Sequence, residues 1–177
     1  DNLARYVNEN GAFTTAAELE NRMVFIGSTF AARWDVSTAF PDYQTINRGL
    51  EAETIRQLRM RFHQDAVALK PDVVFIFPDY REDLRKMSQV DMLSHLARIA
   101  RLAKGSAIPV ALGSTLPVGR AKADQAAVNT EKIAALNESI KKLCAENGYF
   151  YIDCFGPLAD EQGFIKPAFA ADGSELN

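Results

Sequence analysis

Two residue types on which hydrolytic and redox chemistry lean are scarce in this chain, whose 177 residues include 2 histidines and 2 cysteines. Cys144 and Cys154, on what read as a helix end and the end of the following strand, allow one bridge in an oxidising compartment. Two buried free thiols are the commoner outcome, and two cysteines without a histidine do not make a metal site. His63 in "RQLRMRFHQD" and His95 in "MLSHLARIARLAK" both fall on helical patterns, which reads them as helix-face residues rather than catalytic ones. No apolar run approaches a membrane span, and the start "DNLARYVNENG" has neither the basic region nor the apolar region of a signal peptide. The expectation is a soluble chain, from which a leader could have been removed. Positive charge is not in excess either: a formal charge of -3 and a pI near 5.5 offer no basic stripe to neutralise phosphates, which argues against nucleic acid as a partner.

What is present is an ordinary globular composition, 47% hydrophobic and 24% charged, with no internal repeat, low-complexity tract or linker. A single domain over residues 1–177 is expected, long enough to bury roughly 70% of its unfolded surface. Short runs rich in Val, Ile, Phe and Tyr recur as "MVFIG" (23–27), "QTINR" (44–48), "DVVFIF" (72–77), "IPVALG" (108–113) and "YFYID" (149–153). Between them, Ala52 to Leu69, Gln89 to Lys104 and Thr130 to Asn147 carry apolar residues at three- and four-residue spacing. The last opens on Asn129 or Thr130 as a cap and closes on Gly148, where a left-handed residue is favoured. Strands alternating with helices predict a parallel sheet of about five strands in a three-layer α/β/α sandwich. In such sheets the functional crevice lies outside the carboxyl ends of the strands. Here those ends are 27–29, 47–49, 78–81 and 113–115, with the irregular stretch 114–129 beside them and "ADGSELN" placed to fold over them.

Across nearly its whole length the chain resembles the SGNH or GDSL-type acyl hydrolases. "RMVFIGSTFAARW" is similar to the first family block, where a strand leads into Gly-Asp-Ser with the serine as nucleophile. "INRGLEAET" is similar to the second, whose glycine amide contributes to the oxyanion hole; "LKPDVVFIFPDYRED" to the third, which supplies an oxyanion asparagine; and "FAADGSELN" to the last, which supplies an orienting aspartate and a base histidine. The resemblance implies an ester hydrolase fold without metal or cofactor, a small ester or acetylated carbohydrate as ligand, and, more weakly, an extracytoplasmic location. It also implies a final helix after Asn177, without which an apolar patch near the first strand is expected to be exposed.

The reactive positions depart from the pattern. Aligned on Gly27, Ser28 takes the place of the family aspartate and Thr29 that of the nucleophile; Tyr80 takes the place of the oxyanion asparagine and Glu175 that of the base. Gly49 and Asp172 are kept. A hydroxyl needs a positioned base to remove its proton during attack, and a histidine near pKa ~6.5 then returns it to the leaving alkoxide. Glu175, with an ordinary pKa of ~4.3, is a weak base unless burial or the nearby Asp172 raises it. Thr29 is stiff at χ1 and crowds the carbonyl it would attack. Ser28, one residue earlier on an extended segment, is expected to point away from the crevice and to cap the turn. Asp35, Glu51, Asp79, Glu82, Asp83, Asp172 and Glu175 gather near the crevice, yet without calcium-loop spacing they read as solvated loop acids, some paired with Arg33, Arg48 and Arg81. Trp34, the only tryptophan, reads as packing, with ligand stacking as the lesser role; Ser28, Trp34 and Asp79 are the binding candidates. Two functions remain in view. One is a non-catalytic or severely impaired family member that uses its crevice for binding, and the other an active esterase with Thr29 as nucleophile and Glu175 and Asp172 as an unusual base.

Overall fold

The computed structural model describes residues 2–15, 21–78, 80–120 and 130–170, with backbone alone at Thr14, Thr15, Arg81 and Glu82. The described elements run α1 (Val7–Thr15), β1 (Arg22–Gly27), α2 (Thr29–Arg33), α3 (Val36–Ala39), β2 (Gln44–Gly49), α4 (Ile55–Asp65), β3 (Val73–Phe77), α5 (Tyr80–Leu84), α6 (Gln89–Gly105), β4 (Val110–Gly113), α7 (Thr130–Asn147) and β5 (Phe150–Ile152). The five strands form one parallel sheet in the order β2-β1-β3-β4-β5. Parallel strands need crossovers, and helices fill them.

Alternation along the strands divides the sheet into two apolar faces. Val24, Ile26, Val74, Ile76, Val110 and Leu112 turn to the face covered by α4, α6 and α7, where Leu58, Phe62, Leu96, Ile99, Leu136 and Ile140 are buried against them. Met23, Phe25 and Phe77 turn to the other face, where α2 and α3 pack with Phe30, Trp34 and Phe40 in an aromatic cluster. Each such side chain contributes ~1.5–3 kcal/mol when fully buried, so both faces drive the fold.

Helix ends follow local chemistry. Thr54 and Gln57 close a capping box at the start of α4, Ser88 accepts from the Asp91 amide at the start of α6, and Gly148 takes φ 70 after α7. α7 has the bounds that periodicity predicts. The expected helix over Ala52 to Leu69 is instead α4 followed by a separate 3-10 turn, Val67–Leu69, because Ala52 is left-handed at φ 55 and Thr54 is the cap.

Both cysteines are free, Cys144 buried and Cys154 half-buried, and burial pushes each thiol up to about 11. Partial apolar exposure lies beside the first strand, on β3, which pairs with it, and on the β5 edge. β1 is buried throughout, whereas Phe150 on β5 is 65% exposed and Val73, Phe75 and Ile152 are half-buried. No helix among the described residues is long and apolar enough to cross a membrane.

Candidate functional site

The carboxyl ends of β1, β3 and β4 open into a crevice of about 750 Å³. Its walls are Thr29, Phe30, Trp34 and Asp35 on one side and Ser114, Thr115, Leu116, Pro117, Ile165 and Phe169 on the other, with Phe77, Pro78 and Tyr80 between them. β1 and β3 approach so closely at their ends that a Cβ on Gly27 would lie 2.0 Å from the Phe77 carbonyl oxygen. That approach lets the Ser28 amide donate to the same oxygen at 3.0 Å and turns the chain into α2, with Thr29 as its first residue.

The Thr29 hydroxyl lies in the crevice wall and accepts a hydrogen bond from the Ala52 amide at 3.1 Å. Ser28 is buried, is not part of the crevice wall, and occupies the N-cap of α2 without making the capping bond that its position favours; its hydroxyl has no partner among the described residues. Tyr80 is also buried, and its hydroxyl donates to the Gly113 carbonyl at 3.2 Å instead of into the crevice. Burial, with Cys144, Cys154 and Asp83 nearby, holds its phenol well above the ordinary value of 10.0.

Gly49 is engaged on both sides. Its amide donates to Asn47 Oδ1 at 2.8 Å and its carbonyl accepts from the Tyr6 hydroxyl at 2.7 Å. A Cβ there would lie 2.1 Å from the Ala32 nitrogen, so the glycine is required by the packing of β2 against α2. The backbone amide that meets the Thr29 hydroxyl belongs to Ala52, three residues on. Asn47, within the expected strand end 47–49, has a positioning role that the sequence does not give: its Nδ2 donates to the carbonyls of Ala31 at 2.7 Å and Trp34 at 3.0 Å, pinning the end of α2 to β2. Neither has a sequence signal, since alanine disfavours the left-handed region and asparagine is common at strand ends for many reasons.

The acids separate by environment. Asp35 caps α3, accepting from the Thr38 and Ser37 hydroxyls at 2.7 Å each, and these bonds hold its carboxyl down at about 2. Glu51 pairs with Arg33 at 2.9 Å. Asp83 is not a solvated loop acid: it is fully buried and takes the Ile55 amide on both oxygens, at 2.9 and 3.1 Å, which anchors the start of α4. Arg48 is buried and pairs with Glu9, away from the crevice acids, because β2 points it toward α1. Asp79, Asp172 and Glu175, and the side chains of Arg81 and Glu82, lie outside the described residues. No group of three potential metal ligands occurs among the described residues.

The model of the GDSL-like lipase/acylhydrolase family matches residues 26–176, which takes in every wall of this crevice. The chain belongs to that family. Among solved structures, a GDSL-like lipase from Bacteroides thetaiotaomicron is similar at 26% identity and a TM-score of 0.85, covering 98% of this chain and 88% of that one. A catalytic mutant of an acetylxylan esterase from Geobacillus stearothermophilus superposes at a TM-score of 0.66 with 18% identity, over 89% of this chain and 87% of the other. A member of the lipolytic G-D-S-L family from Veillonella parvula superposes at 0.61 with 15% identity, over 75% and 76% of the two chains. No curated protein matches. In this family member, then, the crevice at the strand ends carries a hydroxyl, a backbone amide and an aromatic wall.

Proposed function

We propose that this GDSL-family protein binds a small acyl ester or acetylated carbohydrate in the crevice and hydrolyses it very slowly or not at all. The observation that carries the reading is the placement of imidazole. The chain has 2 histidines, His63 on α4 and His95 on α6, and neither belongs to the crevice wall; residues 171–177 contain none. Among the described residues, a proton taken from Thr29 therefore meets no histidine in the crevice to receive it and return it to the leaving group.

Two further features support the reading. The donor that would replace the family asparagine, Tyr80, spends its hydrogen on Gly113. Ser28 Oγ, the alternative nucleophile next to Thr29 in sequence, is buried and its residue does not line the crevice. The ligand class follows from the walls: Phe30, Trp34, Phe77 and Phe169 suit an acyl group or a sugar face, and Ser114, Thr115 and Asp35 supply polar rims. The acetylxylan esterase among the superposable structures supports an acetylated carbohydrate as one such ligand.

Loss of the nucleophile or the histidine in serine hydrolases removes ~10⁶ in turnover. The deciding experiment is hydrolysis of p-nitrophenyl acetate by the wild type, by Thr29→Ala, and by a triple variant with Thr29→Ser, Tyr80→Asn and Glu175→His. The expected result is near-background turnover in the first two and a gain in the third. Robust wild-type turnover abolished by Thr29→Ala would refute the reading and establish Thr29 as a nucleophile.

A further inference from the structure

A net charge of -3 hides a local excess of the other sign. Arg5, Arg33, Arg48, Arg61 and Arg120 each hold a carboxylate. Arg56 and Arg59 on α4 and Arg98 and Arg101 on α6 hold none among the described residues; Arg101 Nε donates only to the Ala97 carbonyl of its own helix, at 3.2 Å. α4 and α6 pack side by side, and Arg59, Arg98, Arg101 and the half-exposed Leu102 line a shallow groove in the seam between them. Helical geometry explains the convergence. Positions 56 and 59, and 98 and 101, are three apart, so each pair shares one face of its helix and the two faces meet at the seam.

His95 reports the field in that seam. Its Nδ1 is buried without a hydrogen-bond partner. Burial first, then Arg59, Arg56 and Arg98, hold its imidazole below the ordinary value of 6.5, and Asp91 acts in the opposite direction. Guanidiniums gathered on neighbouring helices are a costly arrangement to leave uncompensated, because like charges repel.

We propose that the α4–α6 seam is a binding site for a phosphate-bearing anion, separate from the crevice at the strand ends. The chemistry selects phosphate over a single carboxylate. Guanidinium forks match phosphate oxygens two at a time, and a dianion or polyanion neutralises several forks where a carboxylate satisfies one. The ligand is therefore either a small soluble phosphate or the phosphate of a lipid headgroup, and Leu102 lies beside the forks for an apolar part of it.

The test titrates the full chain with inorganic pyrophosphate at constant ionic strength and follows the His95 ring by NMR, the resonance being assigned with His95→Gln. A parallel arm measures sedimentation with phosphatidylcholine vesicles that contain or lack phosphatidic acid. Saturable pyrophosphate binding that raises the His95 pKa, weakened about tenfold or more in the Arg59→Gln/Arg98→Gln double variant, identifies a soluble phosphate site. Association with the phosphatidic acid vesicles alone, lost in the same variant, identifies a headgroup site. Absence of both, or binding that the double variant retains in full, overturns the proposal. Both arginines lie on the outer helix surface, and an unchanged unfolding midpoint shows that the double variant is folded.

Discussion

Two polar regions of the molecule, one behind β2 and one at the crevice, are built to opposite standards. Behind the strand, where α1 and α4 meet it, Arg61 is fully buried and donates to Glu53 at 2.7 Å, to Asp65 at 3.1 Å and to the Arg48 carbonyl at 2.7 Å. Asn10 continues the network, donating to Asp65 at 2.6 Å and accepting from Arg48 at 2.9 Å. At the crevice, Thr29 has one amide neighbour and Thr115 a buried hydroxyl without a partner among the described residues, and Ser28, buried behind the wall, likewise has none. The network that looks like a catalytic relay is a brace for the N-terminal helix. In the crevice, where a relay would operate, the hydroxyls of Thr29 and Ser114 meet backbone groups, the amides of Ala52 and Cys154. Polar connectivity by itself is thus a poor guide to chemistry, and the group that decides is the one able to take and return a proton near neutral pH.

The sharpest way to break that contrast is to remove one member from each region. Arg61→Ala leaves Glu53 and Asp65 buried without their counter-charge, and a loss of about 3–5 kcal/mol in urea unfolding is expected. Thr29→Ala, in a half-buried position with a single weak bond, should cost under about 1 kcal/mol. Equal costs would show that the crevice is as tightly braced as the network behind it.

Next in size is Gly49→Ala. The added methyl would meet the backbone of Ala31 and Ala32, which cannot move without disturbing α2, so a loss of about 1–3 kcal/mol is expected. Thermal unfolding measures it. A neutral outcome would show that α2 shifts freely against β2 despite the Asn47 bonds.

How much of this was legible beforehand depends on the kind of residue. The parallel sheet was plain because buried strands such as "DVVFIF" read as continuous apolar runs, and α7 was plain because a regular stripe ended on Gly148. A crevice was expected at four strand ends, and those of β1, β3 and β4 line one, whereas 47–49 does not. What stayed hidden were roles set by close backbone approach. Gly49 looks like a site glycine, but its close packing against α2 is not visible in the sequence, and Ala52, the residue whose amide reaches Thr29, has no propensity that marks it. Asp83 looked like a loop acid because nothing in "DYREDLRK" reveals that it would be folded under the first turn of α4. The basic seam was invisible to net charge, which averages over a surface that the fold divides.

Ala52 yields the next smaller effect. An L-residue in the left-handed region carries about 1–2 kcal/mol of steric cost, partly offset by the extra chain entropy that glycine would lose on folding. Ala52→Gly should therefore stabilise by up to about 1 kcal/mol in denaturant titration while keeping the amide at Thr29. Destabilisation would mean that the alanine methyl makes a contact worth more than the strain.

The smallest effect separates the crevice rim from its centre by pH. Asp35 is fully exposed, yet its carboxyl is held at about 2 by the Thr38 and Ser37 bonds, below its ordinary 3.8. A depressed folded-state pKa contributes stability that is present above the unfolded value and is lost as pH falls through the folded one. Wild type should therefore lose this increment between about pH 4 and pH 2, and Asp35→Asn, which cannot titrate, should lack it. The difference in melting temperature between the two proteins should be larger at neutral pH than at pH 2. A difference independent of pH would mean that Asp35 contributes only the hydrogen bonds an amide can also accept, leaving the start of α3 without an electrostatic component.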